Sequence, residues 1–323
     1  MMKVLVTGKI PQEVMALIKK DHRVEAHGED RPMERGLLLD LVGDKDGLLC
    51  MITDRVDEEL LNRAPHLKMI ANLAVGFDNI DMAAATSRGI PVSNTPDVLT
   101  DATADLTLAL ILATARRIVE GDKRTRAGKF RYWAPFLFLG RDVSGKTLGI
   151  VGLGRIGKAV AQRVNGFKMR VLYHDPHPLS PSLEKKLGVT HVDFETLLVQ
   201  SDFVSVHVPL SDETRHLLDS EALAKMKPTA YLINTSRGPI VDEQALEKAL
   251  RRRKIAGAGL DVYEKEPHVE PGLLKMENVV LLPHMGSATI ETRTGMAQKA
   301  AENLIAGLSG EKPPDCLNWE DIS

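Results

Sequence analysis

A glycine-rich turn between a predicted strand and a predicted helix most constrains the fold of this chain. An apolar run at residues 148–151 is followed by a G-x-G-x-x-G motif at residues 152–157, and residues 158–164 continue with helical periodicity. In such a motif the first glycine permits a tight turn, the second lets the backbone approach a pyrophosphate, and the third lets the helix pack closely on the strand. The amides at the helix N-terminus, with the positive end of the helix dipole behind them, then face the phosphates. The sequence therefore predicts a dinucleotide site at this turn.

An acidic residue follows at the position where the ribose of a dinucleotide is bound. A second strand-like run at residues 169–173 ends at His174 and Asp175, about 20 residues beyond the glycines. A carboxylate at this position hydrogen-bonds the adenosine ribose and repels a 2′-phosphate. We therefore predict NAD(H) as the preferred cofactor. NADP(H) is the alternative, because the nearby His174, His177 and Arg155 reduce that repulsion.

Length and composition indicate two domains and give no sign of a nucleic-acid or membrane protein. The chain has 323 residues, with 42 Lys and Arg against 44 Asp and Glu. This balance creates no strong field that would favour nucleic acid, and no apolar run approaches the ~20 residues of a membrane span. The apolar start of the chain is too short for a signal peptide. We expect a cytoplasmic protein with no nucleic-acid or membrane partner.

Strand-like and helix-like segments alternate along most of the chain. This alternation predicts parallel sheets covered by helices, whose ligands bind beyond the carboxyl ends of the strands. Predicted strands are residues 3–7, 47–52, 67–72, 169–173, 202–210, 229–234, 257–263 and 279–283. Predicted helices begin at Pro11, cover residues 58–63, 82–88 and 102–119, run from the cap Asp242 to residue 254, and cover residues 290–308.

Two further segments indicate a domain boundary and an irregular arm. Residues 93–97 are rich in turn-forming residues and precede the helix that Thr100 or Asp101 would cap, so we place a domain boundary there. Residues 128–139 concentrate aromatic side chains and show neither helical nor strand periodicity, which predicts an irregular arm. An exposed apolar patch of this kind is best explained by a contact between subunits.

Three polar residues, Arg237, Glu266 and His284, follow predicted strand ends in the part of the chain that contains the glycine turn. Each alone has a structural interpretation: a surface ion pair, a solvated loop residue and a buried histidine. Together they favour catalysis, because the carboxyl ends of parallel strands converge on the cofactor cleft. Arginine offers a planar fork for a carboxylate, histidine a proton near neutral pH, and glutamate a charge that orients the imidazole.

These motifs together resemble the D-isomer-specific 2-hydroxyacid dehydrogenases, in the branch that contains glyoxylate and hydroxypyruvate reductases. The resemblance covers essentially the whole chain, and residues 94–105 resemble the glyoxylate reductases in particular. The matching motifs are the glycine turn, Asn234-Thr235-Ser236-Arg237-Gly238, Gly259-Leu260-Asp261-Val262 with Glu266-Pro267, and Pro283-His284-Met285-Gly286-Ser287-Ala288-Thr289.

The resemblance implies a fold and an assembly. The fold is α/β, with two Rossmann-like or flavodoxin-like doubly wound parallel-sheet domains and a cleft between them. Residues 1–98 and 288–323 would form the substrate domain around an inserted NAD-binding Rossmann domain of residues 99–287. Two chains would associate as a homodimer through their cofactor domains.

The resemblance also implies a reaction, the reduction of glyoxylate or hydroxypyruvate by NAD(P)H to the 2-hydroxyacid, D-specific where the product is chiral. Arg237, Glu266 and His284 would be the catalytic trio. In that trio, protonated His284 is the acid, and Glu266 stabilises its imidazolium form. The amides of Val75 and Gly76, with Arg237 and His284, would bind the substrate. No metal is required, because arginine and imidazolium polarise the carbonyl.

The same resemblance implies which residues contact the cofactor, and Asp261 among them would help to position the nicotinamide. The full set is Thr103, Gly152, Leu153, Gly154, Arg155, Ile156, Gly157, Asp175, Val208, Pro209, Thr214, Thr235, Ser236, Arg237, Asp261, His284 and Gly286.

Other functions remain open on the sequence alone. A phosphoglycerate or phosphite dehydrogenase of the same family would share these motifs, although phosphoglycerate enzymes often carry a C-terminal regulatory domain for which this sequence leaves no room. A nucleotide-sensing, corepressor-like binding protein would keep the dinucleotide site and even the trio. The lack of a disordered tail and the segment at residues 94–105 favour the reductase. Glyoxylate, hydroxypyruvate and pyruvate are not ranked by the sequence.

Overall fold

Twelve strands and thirteen helices follow one another in the computed structural model, which describes residues 1–322. The strands are β1 (Lys3–Val6), β2 (Arg23–Ala26), β3 (Gly47–Met51), β4 (Met69–Leu73), β5 (Val92–Ser93), β6 (Thr147–Val151), β7 (Arg170–His174), β8 (Val189–His191), β9 (Phe203–Val206), β10 (Tyr231–Asn234), β11 (Gly257–Leu260) and β12 (Val279–Leu281). The helices are α1 (Gln12–Lys19), α2 (Arg35–Leu41), α3 (Glu58–Arg63), α4 (Met82–Ser87), α5 (Thr100–Ala115), α6 (Ile118–Arg126), α7 (Arg155–Val164), α8 (Pro181–Leu187), α9 (Phe194–Gln200), α10 (Ser220–Lys225), α11 (Glu243–Arg251), α12 (Ile290–Leu308) and α13 (Trp319–Ile322).

The chain divides into two units. The first comprises Met1–Leu99 and Ser287–Ser323, and the second comprises Thr100–Gly286. Each junction differs by one residue from the boundary expected from the sequence. The assignment of substrate binding to the first unit stays a prediction.

The first unit is built on a five-stranded parallel sheet in the order β2-β1-β3-β4-β5. Its central strands β3 and β4 are buried on both faces because helices cover both sides. Leu5 packs on one face in the cluster formed with α2, α3 and α4, whereas Val4 and Val6 pack on the other face with α1 and α12. The last long helix, α12, therefore returns to the first unit.

The second unit contains a seven-stranded parallel sheet in the order β12-β11-β10-β9-β6-β7-β8. This is the Rossmann order, with its change of direction beside β6, extended by one strand. Ile150 and Ile233 lie on the face covered by α5 and α7, and Val151 and Leu232 lie on the face covered by α9, α10 and α11. Because all seven strands run the same way, their carboxyl ends share one edge of the sheet.

The helix expected at residues 102–119 is two helices, so that prediction was wrong in extent. Helix α5 ends at Ala115, and α6 begins after Arg117, which has a left-handed backbone with φ of 56°. The returning chain caps the end of α5, because the amide of Arg141 donates to the carbonyl of Ala115 at 2.8 Å. Residues 128–139 form turns and irregular backbone, which confirms the expected arm.

The two longest helices belong to the cores of their units. Helix α12 has 19 residues and carries several charged side chains, and α5 has 16 residues. Neither these nor any other helix within residues 1–322 combines the length and the apolar character needed to cross a membrane.

Candidate active site

The turn after β10 places Arg237 at the edge of the sheet. The buried side chain of Asn234 closes this turn: its amide nitrogen donates to the carbonyl of Arg237 at 2.9 Å, and its oxygen accepts from the amide of Ser236 at 3.0 Å. The backbone at Arg237 is extended. The turn is therefore held by a side chain that the sequence interpretation did not identify, although Asn at the end of an apolar strand is a recognisable turn signal.

Gly238 brings this turn into contact with the loop that carries Glu266. A Cβ at Gly238 would lie 1.8 Å from the carbonyl carbon of Tyr263, a distance that no side chain tolerates. The missing side chain therefore allows two backbone segments to touch. As a result, the charge of Arg237 is near enough to stabilise ionised Glu266.

Glu266 and His284 form a hydrogen-bonded pair. His284 Nδ1 lies 2.8 Å from Glu266 Oε2, and the amide of Tyr263 donates to Glu266 Oε1 at 3.0 Å. Burial opposes ionisation of Glu266, but the hydrogen bond and charge of His284, with the Tyr263 amide and Arg237, lower the pKa of Glu266 below its usual range. Glu266 is thus a carboxylate at neutral pH. Because Glu266 is bonded to Nδ1, the other ring nitrogen of His284, Nε2, stays available to a ligand.

Asp261 fixes the backbone that presents His284. Its carboxylate is fully buried and accepts from the amides of Met285 at 2.7 Å and Gly286 at 2.8 Å. Its carbonyl accepts from the amide of His284 at 2.9 Å, and His284 itself has a left-handed backbone with φ of 50°. Burial raises the pKa of Asp261, while the amides it accepts from and His284 act against that rise. Both oxygens of Asp261 therefore serve the turn at residues 284–286, and a contact with nicotinamide stays a prediction.

The glycine turn between β6 and α7 fits a dinucleotide. Gly152 has φ of 91°, and a Cβ there would lie 2.8 Å from the amide nitrogen of Val208; a Cβ at Gly157 would lie 2.4 Å from the carbonyl oxygen of Gly152. These two glycines are required by the packing of the protein. A Cβ at Gly154 would meet no protein atom within 4 Å, so its backbone is open to a ligand. This arrangement matches the three roles expected for such glycines.

Asp175 lies beside the glycine turn. The amide of Leu153 donates to Asp175 Oδ2 at 2.9 Å, and the amide of His177 donates to Oδ1 at 2.9 Å. Each carboxylate oxygen has a second lone pair with which to accept a hydrogen bond from a ribose hydroxyl. The acidic residue is thus held where its charge would face the ribose of a dinucleotide whose pyrophosphate lies at α7. Arg155 and Ile156 form the first turn of that helix.

A second group of predicted cofactor residues lies after β9. The hydroxyl of Thr214 donates to the carbonyl of Pro209 at 2.7 Å, which closes the loop. The hydroxyl of Ser236 donates to the carbonyl of Val208 and so joins this loop to the turn after β10. The structure therefore brings these four residues together at the same edge of the sheet.

Of the remaining predicted cofactor residues, Thr103 lies on helix α5, and the structure links it to Gly286 and Thr235. The hydroxyl of Thr103 donates to the carbonyl of Gly286 at 3.2 Å. The hydroxyl of Thr107 donates to the carbonyl of Thr103 at 2.8 Å and lies 2.9 Å from the hydroxyl of Thr235. Thr107, which was not predicted, thus joins α5 to the turn after β10, and its spacing of four residues from Thr103 places both on one face of the helix.

In the first unit, neighbouring side chains and backbone orient the amides of Val75 and Gly76. The carbonyl of Ala74 accepts from the amide of Thr95 at 2.8 Å, and the carbonyl of Val75 accepts from the side chain of Asn94 at 2.7 Å. In a planar trans peptide the N–H points opposite to the carbonyl. The N–H groups of Val75 and Gly76 therefore point away from Thr95 and Asn94. Asn94 was not predicted in this role.

Comparison with known proteins establishes the family. Residues 108–286, more than half of the chain, match the family model described as D-isomer specific 2-hydroxyacid dehydrogenase, NAD binding domain. This chain belongs to the D-isomer-specific 2-hydroxyacid dehydrogenases. A glyoxylate reductase of Thermococcus litoralis is 52% identical to this dehydrogenase over 325 residues, and the alignment covers 99% of this chain and 98% of the relative.

Solved structures agree with this assignment. A crystal structure of a Thermus thermophilus protein superposes with a TM-score of 0.92 at 46% identity and covers 98% of this chain and 100% of that one. The NADPH-dependent glyoxylate/hydroxypyruvate reductase of Sinorhizobium meliloti, in complex with NADP and malonate, has a TM-score of 0.88 at 34% identity and covers 98% and 96% of the two chains. The expected family and two-domain α/β fold are confirmed, and the chain is an NAD(P)-dependent dehydrogenase.

The roles of the second and third glycines of the motif can be separated by substitution. Gly154→Ala should raise the Kd for NADH roughly 10- to 100-fold, because hydrogen bonds to charged groups contribute about 1.5–3 kcal/mol. Its free energy of unfolding should change by less than about 1 kcal/mol, since the added methyl group meets no protein atom. Gly157→Ala should instead lose stability by about 1–3 kcal/mol. Fluorescence titration and chemical denaturation measure both quantities, and unchanged NADH affinity in Gly154→Ala would contradict this site.

Proposed function

We propose that this dehydrogenase reduces glyoxylate or hydroxypyruvate to the 2-hydroxyacid, D-specific where the product is chiral. The observation that carries the proposal is the Glu266–His284 pair at 2.8 Å, next to Arg237, at the carboxyl ends of the adjacent strands β10, β11 and β12. The choice of substrate is supported by the glyoxylate reductase of Thermococcus litoralis. A small 2-oxoacid needs the groups found here: a cation for its carboxylate and an acid for its carbonyl oxygen.

Arg237 and His284 divide the work on the substrate. The guanidinium of Arg237 binds the carboxylate of the 2-oxoacid and, with the imidazolium, polarises its carbonyl. The reduced nicotinamide, when bound, supplies a hydride to carbon 2. His284 Nε2 donates its proton to the carbonyl oxygen, so that the carbonyl becomes a hydroxyl and the imidazole becomes neutral. The side chain of His284 is 35% exposed, so it can regain its proton from solvent.

Glu266 acts through His284 and not on the substrate. Its carboxylate stabilises the imidazolium and, through Nδ1, fixes the ring so that Nε2 carries the transferred proton. The amides of Val75 and Gly76 are proposed as further ligands of the substrate carboxylate. Their support is the local geometry of the first unit, in which both N–H groups are turned away from the hydrogen bonds that hold the loop.

The proposed reductant is NADH in preference to NADPH. The carboxylate of Asp175, held beside the glycine turn by the amide of Leu153, would repel a 2′-phosphate. The Sinorhizobium meliloti relative is NADPH-dependent, so the preference has to be tested on this chain.

A substrate panel with both cofactors tests the proposed activity. We expect turnover of NADH with glyoxylate and with hydroxypyruvate, and a lower kcat/KM with NADPH because of the charge at Asp175. Phosphoglycerate, phosphite and pyruvate complete the panel. Comparable kcat/KM values for NADH and NADPH would contradict the cofactor preference. Absence of turnover with every 2-oxoacid would contradict the activity itself and favour a binding protein.

We propose in addition that the protein is a cytoplasmic homodimer that associates through its second units. The support is the aromatic arm of residues 128–139, in which Trp133 is 79% and Phe136 is 85% exposed. The guanidinium of Arg117 lies over the ring of Phe138, 4.0 Å from the ring centroid. This contact holds one end of the arm against the junction of α5 and α6. Large exposed aromatic side chains on a fixed segment are suited to burial against a second copy.

Trp133→Ala distinguishes two roles of the arm. If Trp133 forms part of the partner's substrate pocket, the substitution should raise the KM for hydroxypyruvate more than that for glyoxylate, and the dimer should survive. If it only packs in the interface, KM should stay constant while the dimer weakens. Steady-state kinetics and sedimentation measure both properties. An unmodified protein that is already a fully active monomer, with a KM that Trp133→Ala leaves unaltered, would contradict both roles and the proposed interface.

A further inference from the structure

Glu266 lies in a short turn at the surface of the second unit. The turn begins at Lys265 and ends at His268, where the amide of His268 donates to the carbonyl of Lys265 at 2.8 Å. The Glu266 side chain also accepts the amide of Tyr263 at 3.0 Å. Both bonds are local to the loop, and the side chains of Lys265, Glu266 and His268 are exposed. The loop therefore needs an anchor in the core of the unit to keep its position.

Glu243 provides such an anchor. It is the first residue of α11 and is only 6% exposed. Its Oε1 accepts the backbone N–H of Glu264 at 2.7 Å, and the Glu264 carboxylate lies 3.5 Å from the backbone N–H of Glu243 in return. Burial raises the pKa of Glu243, and the amides of Glu264 and Glu270 act against that rise. The buried carboxylate thus bonds the main chain just before the turn that carries Glu266.

Helix capping does not explain this arrangement. Asp242 already caps α11, because its carboxylate accepts from the amide of Ala245 at 2.9 Å. An acidic residue in the first turn of a helix is stabilised by the helix dipole even when it stays in water. Burial of Glu243 instead carries a desolvation cost. Its side chain is directed at the loop, and the Glu264 side chain beside it pairs with His216 at 3.0 Å.

We propose that Glu243 is a positioning residue for the reaction: it clamps the backbone of Glu264 and thereby fixes Glu266 at hydrogen-bonding distance from His284. This inference rests on the proposed function, because Glu243 acts only through Glu266 and has no contact with substrate or cofactor. The contact of Gly238 with Tyr263 makes the same backbone a neighbour of Arg237. A shift of this loop therefore changes the geometry of the site without opening the dinucleotide site.

Glu243→Gln tests the clamp. A neutral glutamine oxygen accepts the Glu264 amide more weakly than a carboxylate oxygen does, because charge-assisted hydrogen bonds are the stronger ones. We expect kcat for glyoxylate reduction to fall roughly 10- to 100-fold, the range for a small misplacement of catalytic groups. The KM for glyoxylate and the Kd for NADH should stay within about 2-fold of the unmodified protein, since a conservative change away from both ligands removes no contact with them. Glu243→Asp keeps the charge but shortens the reach, so it should recover part of the loss.

A matched control is Glu221→Gln, which neutralises an exposed glutamate in the first turn of α10 and should leave kcat unchanged. The deciding measurement is a double-mutant cycle with Glu266→Gln. If Glu243 acts only through Glu266, adding Glu243→Gln to Glu266→Gln should lower kcat no further. The clamp would be overturned if the kcat losses of the two single variants multiplied in the double variant. It would also be overturned if Glu243→Gln weakened NADH binding as much as it lowered kcat. Should Glu243→Gln fail to fold, the same cycle with Glu243→Asp decides. Absence of 2-oxoacid turnover by the unmodified protein would instead overturn the proposed function.

Discussion

Parallel pairing of three strands determines the chemistry available to this protein. β11 pairs with β10 on one side and with β12 on the other, so the residues that follow each strand meet at one edge. Arg237, Asp261 and His284 come together there although they are far apart in sequence. Glu266 completes the group from the loop after β11. Without this common direction of the strands, no local motif would bring a guanidinium, a carboxylate and an imidazole to one place.

Buried polar side chains that bond to the backbone hold this edge in place. Asn234 closes the turn before Arg237, Asp261 holds the turn that presents His284, and Glu243 accepts the main-chain amide of Glu264. Each is less than a tenth exposed. A buried polar group that is fully hydrogen-bonded resists displacement, since breaking its bonds leaves an unsatisfied donor or acceptor. The acid–base pair is thus partly exposed, while the groups that orient it are not.

The sequence predicted those features that depend on local signals. The cap at Asp242, the bounds of α12 and the close packing of Gly152 and Gly157 follow from residue type and spacing within a few positions. The break in the long helix at Arg117 was missed because it depends on a returning segment that bonds the helix end. The bonds of Glu243 to Glu264 and of Thr107 to Thr235 were missed for a similar reason, since these partners are not neighbours in the sequence. The edge strands β2, β5 and β8 were not predicted because they are too short to show a strand pattern.

The central claim is that the carboxylate of Glu266, bonded to Nδ1 of His284, supplies the negative charge that proton donation by His284 needs. The pH dependence of kcat/KM for 2-oxoacid reduction in Glu266→Gln tests it most directly, because glutamine preserves the shape and removes the charge. Although burial opposes ionisation, His284 and Arg237 hold the pKa of Glu266 below its usual range, so the unmodified protein loses this carboxylate only as the pH falls through that lowered pKa. The substitution should therefore lower kcat/KM at neutral pH and lower it less at acid pH. A loss of the same size at acid and neutral pH, or no loss at neutral pH, would contradict the claim.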